Sequence, residues 1–181
     1  MKGLLLSLGL LAACAFSAMA EVPVQPDFQE DKILGRWYSI GLASNSKWFQ
    51  ANKDKLKMCT TTITPAADGD LQVVATFPKM DRCEQKTMSY TKTEQPGRFL
   101  SRGYGGESLI TIVETNYQEY ILMHARKTKG AEVNTIVSMF GRGKELPPNR
   151  LQEFHQFCLD QGLSQDNILI LPQTDKCMTE E

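Results

Sequence analysis

The sequence carries almost no net charge and very little histidine. Twenty Lys and Arg side chains oppose 21 Asp and Glu, which gives a net charge of −1, and only His124 and His155 are present. Because neither sign of charge dominates, the composition does not indicate a partner such as nucleic acid or an anionic membrane. Two isolated histidines lack the spacing of metal ligands, so we expect no metal site.

Long hydrophobic runs are absent except at the start of the chain. Lys2 precedes an apolar stretch at 3–16, and a small-x-small cleavage signal follows at 18–20. This order is typical of a secretory signal peptide, whereas a transmembrane helix needs about 20 apolar residues. We therefore expect a signal peptide at 1–20 and one domain at 21–181. The mature protein is expected to be secreted through the rough endoplasmic reticulum and Golgi.

Cysteine is too scarce for disulfides to carry the fold. Beyond the N-terminal segment the cysteines are Cys59, Cys83, Cys158 and Cys177. Four cysteines permit three pairings, and the sequence alone does not choose among them. An oxidising secretory route favours at least one disulfide. A domain of this length buries enough surface for a hydrophobic core to stabilise it.

Short alternating segments separated by turn signals fill most of the chain. Leu71, Val73, Ala75 and Phe77, for example, share one face of a segment that follows the turn Asp68-Gly69. We predict strands at 36–44, 58–64, 71–77, 83–93, 98–104, 108–114, 118–126 and 133–142, with a short final strand at 167–171. This spacing predicts an all-β sandwich or barrel, and periodicity leaves both open.

Two further segments bear on the architecture. We expect 46–56, which carries Trp48 and Phe49, to be a loop that folds over the mouth of a closed barrel. An eight-stranded barrel is wide enough for one small ligand. After two prolines, Asn149 and Gln152 form a capping signature, and Gly162 ends the predicted helix. The apolar face of that helix consists of Leu151, Phe154, Phe157 and Cys158.

Three motifs occur in a fixed order along the chain. They are Gly35-Arg36-Trp37, the segment 115–120 (Thr-Asn-Tyr-Gln-Glu-Tyr) and Arg142. Together they resemble the three signature regions of the lipocalin family, with Asn116 in place of the usual aspartate. The resemblance implies an eight-stranded antiparallel up-and-down β-barrel with one C-terminal α-helix packed outside. It also places Trp37 at the barrel floor under Arg142, a cation–π contact of about 0.5–2 kcal/mol.

Longer matches at 35–46 and 171–180 resemble one branch of that family, the lipocalin-type prostaglandin D synthases. This resemblance implies a disulfide between Cys83 and Cys177, which leaves Cys59 and Cys158 as thiols. It further implies isomerisation of prostaglandin H2 to prostaglandin D2 by a cavity thiolate. That thiolate would belong to Cys59.

Other residues follow from the same resemblance. Ser39 and Thr61 take the places of the branch's helper hydroxyls, and alternation puts Thr61 on the face of Cys59. Ala75 stands where the mammalian enzymes carry a further cavity serine. The simpler interpretation of Cys59 is a small apolar wall residue, and that of Cys158 is a buried structural thiol.

The cavity residues expected to contact a ligand come from several strands and from the mouth segment. They are Trp37, Trp48, Met58, Val73, Ala75 and Phe77. The resemblance implies prostaglandin H2, retinoids and other small lipophilic molecules as ligands. It implies no tightly bound cofactor, although a free thiol such as glutathione would support activity. We expect a monomer. The resemblance also implies association with the nuclear envelope. The alternative function is a non-catalytic carrier of retinoids, bile pigments or other lipophiles.

Overall fold

The computed structural model describes residues 21–103 and 105–178, so the predicted signal peptide at 1–20 lies outside the described residues. The described chain forms nine strands in one sheet and two α-helices. The strands are β1 (Gly35–Ser44), β2 (Thr60–Pro65), β3 (Leu71–Lys79), β4 (Arg82–Lys92), β5 (Arg98–Gly103), β6 (Gly106–Thr115), β7 (Tyr120–Lys129), β8 (Glu132–Gly141) and β9 (Ile168–Ile170). The helices are α1 (Lys47–Asn52) and α2 (Pro148–Asp160), and a 3₁₀-helix (Glu30–Ile33) precedes β1.

The first eight strands close into a barrel. Each strand from β1 to β8 pairs antiparallel with the next, and β8 pairs back onto β1. This closure confirms the predicted eight-stranded antiparallel barrel and excludes the sandwich. The short β9 is additional: it pairs with Gly41–Ala43 of β1, beyond the stretch 35–38 where β1 pairs with β2.

Alternation along the strands divides the buried apolar side chains into two clusters. The inner cluster faces the barrel interior and draws on the 3₁₀-helix and β1 to β7: Ile33, Trp37, Ile63, Leu71, Val73, Tyr90, Phe99, Ile110, Ile112, Ile121, Met123 and Ala125. The outer cluster lies between the barrel wall and α2: Ile40, Ala43, Met58, Val113, Tyr120, Leu122, Val137, Met139, Leu146, Phe154, Cys158, Leu163 and Met178. The predicted position of α2 outside the barrel is thus confirmed.

One end of the barrel is closed by Trp37 and Arg142. Trp37 is fully buried, and the guanidinium carbon of Arg142 lies 3.6 Å from its ring centroid. The same guanidinium donates hydrogen bonds of 3.0–3.1 Å to four backbone carbonyls, those of Lys32, Leu34, Arg36 and Tyr117. Gly35 enters β1 with a φ of +95°, and a Cβ there would lie 3.4 Å from Arg142 Nη1. The Gly-x-Trp motif therefore supplies both a left-handed backbone position and the ring under the arginine.

Helix α2 begins one residue before the predicted cap. Pro147 is the N-cap residue and makes no side-chain capping bond, so the prediction that Asn149 caps the helix is wrong. Pro148 stands at the first helical position, where its fixed φ suits a helix and no N–H is needed. At the other end the Gly162 N–H bonds to Leu159 O at 2.9 Å, which stops the helix where expected.

The segment 46–56 is more ordered than the loop we expected. The Ser46 side chain accepts a hydrogen bond from the Phe49 N–H at 3.2 Å and caps α1. Phe49 is buried, whereas Trp48 is 63% exposed. The Lys53 ammonium donates to the carbonyl of Asp166 at 2.9 Å, which ties this segment to the residues before β9.

A disulfide joins Cys83 at the start of β4 to Cys177 near the end of the described chain. This is the pair that the family resemblance implied. Cys59 and Cys158 are free thiols. None of the helices in the described part of the chain is long and apolar enough to cross a membrane.

Replacing Arg142 with Met is expected to lower the free energy of unfolding by about 2–4 kcal/mol. The change removes the cation–π contact and four charge-assisted donors, leaving the floor carbonyls without partners. Equilibrium unfolding in urea with the disulfide intact measures the difference. Arg126→Met, an exposed arginine on β7, is the control and should change stability by less than about 0.5 kcal/mol. A similar small loss in both variants would contradict this role for Arg142.

Candidate functional site

Cys59 lies directly before β2, where the chain joins the edge of β1. Its carbonyl accepts a hydrogen bond from the Ser39 N–H at 2.9 Å, and its own N–H donates to Ser39 Oγ at 2.8 Å. These two bonds hold Cys59 and Ser39 opposite each other on neighbouring stretches of chain. The site therefore begins as an extension of the β1–β2 ladder.

The Ser39 hydroxyl also faces the sulfur of Cys59. Ser39 Oγ lies 3.1 Å from Cys59 Sγ and 3.2 Å from the carbonyl oxygen of Cys59. A hydroxyl has one hydrogen, so it donates to one of these two acceptors at a time. An ionised sulfur is the stronger acceptor, because bonds to a charged group are roughly twice as strong as neutral ones. The geometry thus permits Ser39 to stabilise a thiolate at Cys59.

Thr61 completes this group on the inner wall. It pairs directly with Trp37 across β1 and β2, and residues paired in this way project on the same face of a sheet. Trp37 belongs to the inner cluster, so Thr61 also faces the barrel interior. The structure therefore brings Cys59, Ser39 and Thr61 together on the inner wall.

Two opposing effects set the pKa of Cys59. Burial raises the pKa of the thiol, because the charged form loses hydration. Hydrogen bonds from Ser39 and Thr61 lower it, and the effect of burial is the larger. Cys59 is consequently mostly a neutral thiol at neutral pH. Its hydroxyl partners favour the thiolate once the proton leaves.

The other predicted ligand contacts fall into three places. Val73, Ala75 and Phe77 lie on one face of β3, and Val73 belongs to the inner cluster, so all three face inward. Met58 is in the outer cluster instead. Its neighbour Cys59 faces inward, so alternation turns Met58 outward. The prediction that Met58 lines the cavity is therefore wrong. Trp48 is exposed on α1.

The strand pairing reveals two inward-facing lysines that sequence reasoning missed. Lys86 pairs directly with the inward-facing Ala75, and Lys127 lies two residues beyond Ala125 of the inner cluster. Tyr90, Met88 and Lys86 are spaced two residues apart, so this alternation in the sequence indicates that they share one face of the strand. A charged residue on a strand usually lies on the solvent face, so the charge of Lys86 opposes what its alternation indicates.

Cys158 has a different environment from Cys59. It lies on α2, is fully buried in the outer cluster, and has a pKa raised to about 12 by burial. A thiol of this kind is unreactive and serves packing. The interpretation of Cys158 as a structural residue agrees with its surroundings.

The site at Cys59 has no metal-ligand cluster among the described residues, and the groove on the outer surface is separate from it. The described residues contain no group of three or more His, Cys, Asp or Glu side chains placed to hold a metal. His124 is buried with its ring edge-on to Phe157, and burial lowers its pKa to about 4, so it is neutral. A groove of about 580 Å³ lies outside the barrel between residues 23–26 and α2. None of the predicted contacts lines it.

Comparison with known proteins assigns the fold and adds relatives. The model described as "Lipocalin / cytosolic fatty-acid binding protein family" matches residues 34–175. A protein of Rhinella marina named "Lipocalin" is 66% identical over 99% of this chain and 100% of its own length. The prostaglandin-H2 D-isomerase of Canis lupus familiaris is 41% identical over 97% of this chain and 94% of its own.

The mouse relative and a solved structure agree with these matches. The prostaglandin-H2 D-isomerase of Mus musculus is 40% identical over 97% of this chain and 95% of its own. A structure of the siderocalin Ex-FABP gives a TM-score of 0.70 at 23% identity, covering 79% of this chain and 95% of that chain. At that identity the structural match supports the fold alone.

Alkylation of the native protein should label Cys59 slowly and leave Cys158 unlabelled. Cys59 is half-buried, whereas Cys158 is fully buried and reacts only after unfolding. Peptide mass spectrometry after maleimide treatment, with and without denaturant, distinguishes the two thiols. Cys83 and Cys177 should be labelled only after reduction. Equal labelling rates for Cys59 and Cys158 in the native state would contradict this description.

Proposed function

Because the chain belongs to the lipocalin family, we propose that its barrel binds a small lipophilic molecule and isomerises prostaglandin H2 to prostaglandin D2. The observation that carries the proposal is the Ser39 hydroxyl 3.1 Å from the sulfur of an inward-facing free cysteine. Relatives of about 40% identity that are named prostaglandin-H2 D-isomerases support the choice of reaction.

In the proposed reaction, Cys59 acts as a nucleophile. Its thiolate attacks the endoperoxide oxygen attached to C11, so an S–O bond forms and the O–O bond breaks. The oxygen on C9 leaves as an alkoxide and takes up a proton to become the hydroxyl group. Loss of the C11 hydrogen as a proton then forms the ketone, breaks the S–O bond and returns the thiolate.

This sequence needs no external oxidant or reductant, because the proton lost from C11 balances the one gained at C9. Ser39 and Thr61 have two tasks in it. Their hydroxyls stabilise the thiolate before attack and donate to the alkoxide oxygen as negative charge develops there. No tightly bound cofactor is required. A free thiol such as glutathione would act by keeping Cys59 reduced.

We also propose that the protein is secreted. The disulfide between Cys83 and Cys177 supports an oxidising route through the endoplasmic reticulum, since such bonds seldom persist in the cytosol.

Replacing Cys59 with Ala should abolish isomerase turnover and leave ligand binding intact. Retinoic acid should still quench the tryptophan fluorescence of the variant, because only one sulfur is removed from the wall. The matched control is Cys158→Ala, which deletes the free thiol outside the barrel and should retain turnover. Equal turnover in wild type and Cys59→Ala would exclude the nucleophile.

The rate of the wild-type enzyme should also increase with pH across the range in which the fold is stable. Burial raises the pKa of Cys59, so the thiolate fraction keeps growing until the pH passes that value. A rate that is flat with pH would indicate that the thiolate does not take part in the limiting step.

A second candidate function is a carrier of retinoids, bile pigments or other lipophiles without chemistry. Two observations favour it. Burial holds Cys59 mainly in its unreactive neutral form, and Ala75 supplies no hydroxyl beside Thr61, with which it pairs across β2 and β3. Undetectable turnover in the wild type, with retinoid binding intact, would establish this function.

Ala75→Ser separates the two candidates further. The new hydroxyl would lie on the inner face next to Thr61, where it can donate to the thiolate or to the departing alkoxide. We expect turnover per enzyme to increase several-fold, with the affinity for retinoic acid changed by less than about twofold. The matched control is Val74→Ser, which adds a hydroxyl at the next position of β3 and should not increase turnover.

A further inference from the structure

Tyr90 places a phenol inside the barrel, close to the closed end. Its side chain belongs to the inner cluster and is only 7% exposed. Since β1 begins at the floor beside Trp37 and neighbouring strands are antiparallel, β4 runs toward the floor. Tyr90 lies two residues before the end of β4, so it belongs to the floor half of the interior.

The hydroxyl of Tyr90 reaches across the interior to another strand. Its oxygen lies 4.0 Å from the sulfur of Met123, an inner-cluster residue on β7. Strands β5 and β6 separate β4 from β7 in the sheet. A contact between inward-facing side chains of such distant strands crosses the inside of the barrel. The phenol oxygen therefore lies within the interior and not against its own strand.

A row of aromatic rings fixes the Tyr90 ring. Its centroid lies 6.0 Å from that of Phe99, which lies 6.2 Å from Phe28, and Phe28 lies 6.5 Å from Tyr117. The carbonyl of Tyr117 accepts one of the hydrogen bonds from Arg142 at the floor. The ring of Tyr90 is thus tied to the closed end, and this packing sets the direction of its hydroxyl.

Packing accounts for the ring of Tyr90 but not for its hydroxyl. A buried tyrosine hydroxyl usually has a hydrogen-bond partner, and a thioether sulfur is only a weak acceptor. Within residues 21–103 and 105–178 the Met123 sulfur is the one hydrogen-bond partner of this hydroxyl. Phenylalanine would make the same ring contacts without burying a polar group. Burial raises the pKa of Tyr90 to about 12, so the hydroxyl keeps its proton and remains a donor at neutral pH.

We propose that Tyr90 donates a hydrogen bond to a neutral oxygen, a ketone or a hydroxyl, on the end of a lipid that lies toward the floor. Met123 is unbranched and flexible, so its sulfur can yield the hydroxyl to this stronger acceptor. A neutral oxygen suits the position because burying a charge among apolar side chains is costly. The inference rests on the lipid binding of the proposed function and adds that the deeper end of the ligand is oxygenated.

Retinoic acid and 4-oxoretinoic acid provide the test, because they differ only by a ketone on the ring. The apolar ring is the end that the inner cluster favours. Fluorescence titration of the full chain gives the dissociation constant of each. In Y90F the affinity for 4-oxoretinoic acid should fall about fivefold, and that for retinoic acid should change by less than about twofold. The matched control is Y38F, which removes a phenolic hydroxyl beside the outer cluster and should change neither affinity.

Infrared difference spectroscopy of bound 4-oxoretinoic acid adds a measurement that packing alone would not move. A hydrogen bond to the ketone weakens its C=O bond, so the stretching band should lie at lower frequency in wild type than in Y90F. The variant M123L removes the competing sulfur at nearly constant volume. It should keep both the low-frequency band and the affinity for 4-oxoretinoic acid.

Three results would overturn the role of Tyr90. They are equal changes in the two affinities of Y90F, a ketone band at the same frequency in wild type and Y90F, and binding of retinoic acid alone by wild type. If wild type binds neither retinoid, the lipid-binding function itself fails, and the role of Tyr90 fails with it. Near-ultraviolet circular dichroism of each variant confirms that the barrel is folded.

Discussion

The contact of Arg142 with the Trp37 ring determines which end of this barrel is closed. Arg142 follows β8, and its guanidinium donates to carbonyls of the start of β1 (Arg36), the 3₁₀-helix before β1 (Lys32) and the turn between β6 and β7 (Tyr117), so it links these segments. A barrel of eight strands has an interior wide enough for a ligand, but it holds one only if an end is sealed. The apolar inner cluster rests on this floor, and the open end lies opposite.

The divided pairing of β1 positions the candidate chemistry. Its first part pairs with β2 and its later part with β9. Cys59 lies between these two pairings: the preceding Met58 N–H bonds the carbonyl of Pro172, and the Cys59 carbonyl accepts from the Ser39 N–H of β1. The Ser39 hydroxyl is then shared between a backbone carbonyl and the sulfur. One side chain thus supports the fold when the thiol is neutral and supports a thiolate when it is charged. Burial favours the first state, and the two hydroxyls favour the second.

The polarity of the side chains inside the barrel changes from the closed end to the open end. Aromatic and aliphatic side chains surround Trp37 at the floor, hydroxyls and a thiol lie on the wall near Cys59, and lysines stand toward the open end. Burying a charge is costly without a partner, so lysines are tolerated only where water or an anionic group can reach them.

Local patterns in the sequence were sufficient for the strands and the outer helix. The closed barrel with Arg142 over Trp37 followed only from the resemblance of three short motifs to the lipocalin family. Alternation also put Thr61 on the face of Cys59, and the family resemblance added Ser39. Alternation did not reveal α1, because six residues carry too little periodicity. Tertiary structure alone determined that Met58 belongs to the outer cluster and that Lys86 and Lys127 share one interior. A strand's side-chain period is local, whereas its neighbours and the open end of the barrel depend on pairing between distant segments.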